Sequence, residues 1–515
     1  MQKFLSRYHD RIAAVLSGFD RVVFRGTLRQ LAHVDGLLSF LSYKKVLLKN
    51  FKSFAQSLTD RIKTSVERWA QSLDRPVMYI TSSRVSKEDL AKEHRRRYGV
   101  GDGGLICVLS CVEPCQSFEI RRRREQKDIQ LRSVERKCLH YYAYFDHPQL
   151  GLLHVRLQTW LPFTARVCLN GREWLGKQMD KFGLGYRQAD NCFQWLENPS
   201  RAQELMDGLL RSDWPQLLDT LLFRFHHIHG ELFAGDLMDY YWSIHQSEWA
   251  TDVLFDDPGS LAAIYPYLTR HAMLQFRSPD VLRFLGKRFS WHFEGEATSD
   301  YKERPEGVRV KHRVKTNSIK VYDKQQSVLR VETTINDPRD FRVFRTPEGN
   351  SEGPKYWCRL RKGVADAYRL TRICQRANER YLNALSEADT EERLAELVKP
   401  VTRPTKLKGN RVRALRPFGQ DADLLEAINR GEFILNGFRN RDILHHLFPE
   451  LTEDEVQNKR ARGRVTRLLR LLRAHHLIKK VPHTHRYHVT DRGRCIIAAV
   501  LAAKEASVKQ LLQAA

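Results

Sequence analysis

The stretch Asn317–Asp337, NSIKVYDKQQSVLRVETTIND, carries two alternating segments separated by a polar turn. Strand side chains alternate between faces, so Lys320, Tyr322 and Lys324 share one side of the first segment, opposite Ile319 and Val321. In the second segment Arg330, Glu332 and Thr334 oppose Leu329, Val331 and Thr333. A register that sets Tyr322 across from Arg330 also sets Lys320 across from Glu332 and Val321 across from Val331, matching apolar to apolar and pairing opposite charges. A shift of two residues would oppose Lys320 to Arg330. The favoured hairpin therefore gathers Tyr322, Lys320, Arg330 and Glu332 on one polar face. That set has the parts for strand transfer: a phenol to attack a phosphodiester, cations to offset developing charge, and a carboxylate to hold a divalent metal or take a proton. The same residues also make an ordinary salt-bridged sheet.

The chain has 515 residues, 42% hydrophobic and 29% charged, which is more than one core usually serves and predicts about three domains. No apolar run reaches the roughly 18 residues of a membrane span. The N-terminal MQKFLSRYHDRIAAVLSGFDRVVFRG breaks its apolar residues with charge, unlike a signal peptide, so a cytoplasmic protein with no membrane partner is expected. Nine cysteines form no CxxC pair and read as reduced, mostly buried residues. Cys107, Cys111 and Cys115 fall in GLICVLSCVEPCQSF, read as a strand that turns at Glu113-Pro114 and scatters the three thiols. A net charge of +26 and a pI near 9.8 predict a polyanionic partner. GVGDGG lacks the lysine and hydroxyl of a phosphate-binding loop, and the runs from His94 to Gly104 and from Arg121 to Lys127 read as solvated faces or as phosphate-tracking surface.

The expected fold class is α+β and multidomain: a mixed α/β body with a hairpin-containing sheet, followed by a C-terminal winged helix-turn-helix domain. Residues 1–75 read as a helical segment and 76–398 as the body, with its sheet around 300–345 and a closing helix over 361–388. Residues 399–420, basic and with three prolines, read as a linker, and 421–515 as a separate unit. In that unit DLLEAINRGEF is a first helix. NGFRNRDILHHLF is a second, with Asn440 as its cap. The third runs from about Gln457 to His476 with an apolar stripe at Ala461, Val465, Leu468, Leu469 and Leu472. LIKKVPHTHRYHVTDRGR then supplies strand, basic tip and strand, and a last helix ends the order of a winged helix. Its third helix would enter the major groove, making Lys459, Arg460, Arg462, Arg464 and Arg467 candidate DNA contacts, with Lys480, His485 and Arg486 in the wing. A winged helix that binds protein instead is the bland alternative.

Through RVTRLLRLLRAHHLI and YHVTDRGR, this unit resembles winged-helix regulators of the MarR type, which implies duplex DNA as partner. The segment Tyr322-Asp323-Lys324 followed by Arg330-Val331-Glu332 resembles rolling-circle replication initiators of plasmids and phages, with their Y-(D/N)-K and R-x-E strands. That resemblance implies a DNA-nicking enzyme with a tyrosine nucleophile and a divalent metal such as magnesium or manganese. His227-Ile228-His229 has the spelling of an initiator metal pair, but Leu217, Leu221, Phe225, Ile228 and Leu232 recur at helical spacing, which would point the two histidines apart. Glu248 and Asp252 would share a strand face about 13 Å apart, too far to bind one ion unaided. Tyr368 and Tyr381 are rival nucleophiles on the closing helix, both within its apolar stripe.

Two functions follow. One is a DNA-binding protein of a replicating or mobile element that nicks DNA through Tyr322. The other is a non-enzymatic regulator whose body senses a ligand or partner. RNA binding fits the charge without a recognisable module, and a homodimer is compatible with the regulator resemblance.

Overall fold

The computed structural model describes residues 1–82, 84–123, 128–234, 238–287, 296–305, 307–346, 353–387, 394–407, 409–430, 433, 437–449, 455–482 and 484–506. These form two compact units, one of Met1–Lys287 with 296–386, the other of the described residues from Glu387 onward.

The first unit is built on an eleven-stranded sheet. Its strands are β1 (Ile12–Leu28), β2 (Val77–Tyr79), β3 (Leu105–Arg123), β4 (Asp128–His147), β5 (Gly151–Gln158), β6 (Ala165–Asn170), β9 (Tyr240–Phe255), β10 (Ala297–Lys302), β11 (Arg309–Val314), β12 (Asn317–Lys324) and β13 (Val328–Ile335). A separate hairpin, β7 (Tyr186–Ala189) with β8 (Cys192–Leu196), lies between β6 and β9 in the chain. The order across the sheet is β10-β11-β12-β13-β9-β1-β6-β5-β4-β3-β2, antiparallel throughout except for the β2–β3 pair. Two meanders thus meet at the long central pair of β1 and β9, which are matched from Ile12↔Phe255 to Leu28↔Tyr240.

The expectation that residues 1–75 are helical holds for α1 (Gln2–Arg7), α2 (Val34–Tyr43) and α3 (Phe51–Ser72). It fails for Ile12–Leu28, the strand at the centre of the sheet. There the end of the strand alternates, with Val22, Phe24 and Leu28 buried while Arg21 is exposed and Arg25 half-buried. β-branched and aromatic residues favour that pleated surface over a helix. The turn expected at Glu113-Pro114 is also absent: β3 runs straight through it, pairing Pro114 with Lys137. β2 pairs only with Val108, Leu109 and Ser110. Pro114 therefore lies on an open edge, where its missing N–H removes no ladder bond. Two of the three thiols are not scattered either, since Cys107 and Cys111 face the same apolar cluster.

Helices cover both faces. On one, Phe24 meets Trp214 of α7 (Trp214–Phe223) at 4.8 Å between ring centroids, and Asn378 of α11 (Ala367–Leu385) bonds Thr251 and Thr333. On the other, α4 (Lys87–Tyr98) packs over β3 through Ala91. Toward the centre of that same face, α5 (Gly171–Lys181), α6 (Pro199–Gly208) and the β7–β8 hairpin pack over Leu16, Leu254 and Val328. Met206 packs closely there, so that a Cβ at Gly18 would meet its side chain and oblige it to shift. β13, with neighbours on both sides and cover above and below, is buried along its whole length. The remaining helices of the unit are α8 (His229–Leu232), α9 (Pro258–Gln275) and α10 (Ser278–Phe284), and a hairpin joins β14 (Arg342–Arg345) to β15 (Tyr356–Arg359).

The second unit holds α12 (Leu394–Val398), the hairpin of β16 (Thr405–Leu407) and β17 (Asn410–Val412), α13 (Ala422–Ile428), α14 (Asn440–Leu447), α15 (Glu455–Ala474), the hairpin of β18 (Ile478–Lys480) and β19 (Tyr487–Val489), and α16 (Asp491–Glu505). Leu425, Ile443, Val465, Leu469, Leu477 and Ile497 share its core. The stretch 399–420 is not a linker: Val401 and Leu415 are buried in that core, and Arg413 is 2.6 Å from Asp421. The boundary therefore falls after Ser386 rather than after 398. Arg439 rather than Asn440 precedes α14, and the Asn440 amide instead donates to Thr466 Oγ1 and the Arg462 carbonyl of α15.

Candidate functional site

The hairpin adopts the register read from its charges: Tyr322↔Arg330, Val321↔Val331 and Lys320↔Glu332. All four expected residues share a face. The next strand extends it, with Arg330 opposite Asp252, Glu332 opposite Ala250 and Thr334 opposite Glu248. On β1 a bulge interrupts the ladder with β9, so that Phe19 pairs with Trp249 and Arg21 with Glu248, leaving Asp20 as the extra residue. A bulge turns two successive side chains toward one side. Asp20 and Arg21 accordingly both reach this face.

Three carboxylates converge there: oxygen atoms of Asp20, Glu248 and Glu332 all lie within 4.8 Å of one another. Asp20 Oδ1 accepts from Arg330 Nη1 at 3.0 Å and from Asn191 Nδ2 at 2.7 Å. Glu248 Oε1 accepts from Arg21 Nη2 and Gln246 Nε2, both at 2.9 Å. Glu332 Oε2 accepts from the Tyr322 hydroxyl at 2.9 Å, and Lys320 Nζ lies 2.8 Å from Oε1. Burial pushes the Asp20 carboxyl up; Arg330 pulls it back, and the negative charge of Glu332 adds to the rise. Hard oxygen donors in this arrangement suit magnesium or manganese.

Arg330 is wholly buried, and its role is plain from its bonds: Nε and Nη2 donate to Asp252 at 2.6 and 2.8 Å, and Nη2 also donates to the Asn191 carbonyl at 2.7 Å. Burial opposes its charge, but Asp252 and Asp20 outweigh burial and hold its pKa well above the ordinary value. Arg172 at the start of α5 completes the group, donating to Asp252 Oδ2 at 2.8 Å. Asp252 is thereby spent on arginines, while Glu248 joins acids on two other strands.

Tyr322 is 8% exposed, and burial, with Glu332 next, raises its pKa well above the ordinary value. A phenol so placed braces Glu332 and is poorly set to attack, which counts against the expected role of Tyr322 as the nucleophile. Lys320 is the least buried of the four. Of the rival tyrosines, Tyr381 is buried beside His312, with its hydroxyl 3.1 Å from Nε2. Tyr368, expected in the core stripe, is 58% exposed and turned away from it. The helix through the histidine pair breaks after Phe223; His229 Nε2 is bonded to the Met238 carbonyl, and His227 packs near Trp69, so the two do not form a site. Asp20 was not foreseen, because it lay in a segment read as helix. The signal was the alternation in DRVVFR, broken by the bulge.

In the second unit Lys459, Arg460, Arg462, Arg464 and Arg467 are exposed along α15, opposite its buried Ala461, Val465 and Leu469. Among the described residues none of the five is paired with an acid. Arg464 instead lies over the Phe448 ring at 5.5 Å. Lys480 ends β18 and is exposed, as is His485, and Arg486 is half-buried just before β19. Among the described residues no helix is long and apolar enough to cross a membrane.

No protein-family model, curated protein or solved structure matches the chain.

Proposed function

We propose that the protein acts on DNA, with a metal-dependent centre for phosphodiester cleavage in the first unit and a winged-helix module for duplex DNA in the second. The observation that carries the reading is the convergence of Asp20, Glu248 and Glu332 beside Lys320. Asp20, Glu248 and Glu332 would hold the cation, which would offset the charge that grows on a phosphodiester. Tyr322 and Arg330 keep Glu332 and Asp20 in place. Water would be the nucleophile: its oxygen bonds to phosphorus as the bond from phosphorus to the sugar oxygen breaks, the sugar oxygen takes a proton from Lys320, and the proton that the water releases passes to solvent, from which Lys320 is reprotonated.

The order of α14, α15, the β18–β19 hairpin and α16 supports the winged-helix assignment, and the five exposed cations of α15 that lack an acidic partner among the described residues support major-groove contact. The setting is the one expected of a replication initiator or mobile-element protein. The test is incubation of supercoiled plasmid with the protein and Mg²⁺ or Mn²⁺, followed by denaturing electrophoresis. The expected product is a nicked strand free of protein, absent with Glu248→Gln. A protein-linked band lost in Tyr322→Phe would restore the tyrosine as nucleophile.

The rival reading is a regulator without catalysis. It is favoured by one observation: Arg330 on Asp20, Arg21 on Glu248 and Lys320 on Glu332 already balance all three acids. Failure of every plasmid and single-stranded substrate to be cut, with duplex binding intact, would establish it.

A further inference from the structure

Four residues along β1 from Arg21, the sheet carries a transverse row of arginines. Arg25 lies opposite Arg166 of β6, Arg166 opposite Arg156 of β5, and Arg156 opposite Tyr142 of β4. Directly opposed residues share a face. Since Arg21 bonds Glu248, the row and the three carboxylates lie on the same face of one sheet. The row spans roughly 10 Å across the strands and starts roughly 13 Å along β1 from Arg21.

Like charges set opposite one another destabilise a sheet, and here they are scarcely answered. Glu113 takes Arg156 Nη2 at 3.0 Å, together with the Tyr142 hydroxyl and Lys87. Among the described residues, Arg25 and Arg166 have no carboxylate partner. The Nε atoms of Arg25, Arg156 and Arg166 are all buried without a hydrogen-bond partner, although Arg156 is only 5% exposed. Burial, then Arg156, lowers the pKa of Arg166 to about 10 and also lowers that of Arg25. His245 is pushed down to about 4, first by burial and then by Arg166 and Arg25. Opposed guanidinium groups with unpartnered Nε donors are a setting in which an anion would relieve both the repulsion and the missing hydrogen bonds.

We propose that Arg25, Arg166 and Arg156 bind the phosphodiester backbone of a single nucleic-acid strand leading to the carboxylate site. The anion site stands on the arginines themselves; its assignment to nucleic acid rests on the function proposed above. A single strand is favoured by Tyr241, which pairs with Thr27 beyond the row, is 40% exposed and has the Arg29 guanidinium 3.6 Å from its ring centre. A basic floor with an exposed aromatic at its end is how proteins hold unpaired bases.

The test is anisotropy of a labelled single-stranded oligonucleotide on the full chain, with unlabelled duplex present to occupy the second unit. Arg25→Gln with Arg166→Gln should weaken binding by about tenfold or more and flatten its salt dependence. The same pair of substitutions should leave the melting temperature unchanged or raised, because the row repels itself. Wild-type affinity in the folded variant would overturn the proposal. So would a marked fall in melting temperature, which would make the row structural, or competition by inorganic phosphate as effective as that by oligonucleotide phosphate. Loss of binding in this variant, with no cleavage by the wild type, would uphold the row while refuting catalysis.

Discussion

Arg330 and Asp252 face each other across β13 and β9 and are joined by two hydrogen bonds, Nε to Oδ1 at 2.6 Å and Nη2 to Oδ2 at 2.8 Å. Both are buried, and Arg172 shares the carboxylate. Burial alone would raise the Asp252 pKa, yet Arg330 and then Arg172 overcome it and hold the group below its usual range. Breaking such a pair strands a charge in the interior. Arg330→Met should destabilise the first unit by about 3–5 kcal/mol, measured by denaturant unfolding. A loss under about 1 kcal/mol would mean that the pair is not holding the sheet.

Asp20 has the opposite sign. Its folded pKa is raised by burial, so its favourable contribution is complete only below its unfolded value near 3.8 and is lost as pH rises through the folded value. At neutral pH, without divalent cation, Asp20→Asn should therefore be more stable than the wild type. The gap should close as pH falls below about 4. Thermal unfolding across that range checks this, and a variant less stable at every pH would contradict it.

The exposed cations of α15 make a separate prediction. Arg462→Glu with Arg464→Glu should weaken duplex binding by at least roughly tenfold and reduce the salt slope, since each phosphate contact adds to that slope. Both side chains are exposed on the side away from the buried Ala461 and Val465, and the Arg464 contact with the Phe448 ring is a surface one, so the fold should be kept. A gel-shift titration with unchanged affinity would remove α15 from the DNA interface.

How much of this was legible is clearest in the hairpin. The register of β12 and β13 followed from matching apolar residues and pairing opposite charges, because a slip of two residues would have set Lys320 against Arg330. The apolar stripe of α15 was likewise readable from its spacing. What the sequence hid was long-range. Whether Glu332 meets Glu248 depends on β9 pairing with β13, and whether Asp20 meets either depends on a bulge in a strand 310 residues from Arg330 in the chain. That bulge breaks the alternation that would have marked β1 as a strand. The openness of the site was also invisible: Tyr322 and Arg330 look like surface chemistry in a lone hairpin and become interior once β9 and β1 complete the sheet.

The central claim is that Asp20, Glu248 and Glu332 form one site for a divalent cation. It is tested most directly by titrating Mn²⁺ into the apo protein and counting bound ions by electron paramagnetic resonance, beside Asp20→Asn and Glu248→Gln. At least one tightly bound Mn²⁺ per wild-type chain is expected, with a rise in melting temperature on binding, and both should be lost in each variant. Equal Mn²⁺ binding by wild type and variants, or none by any of them, would contradict it.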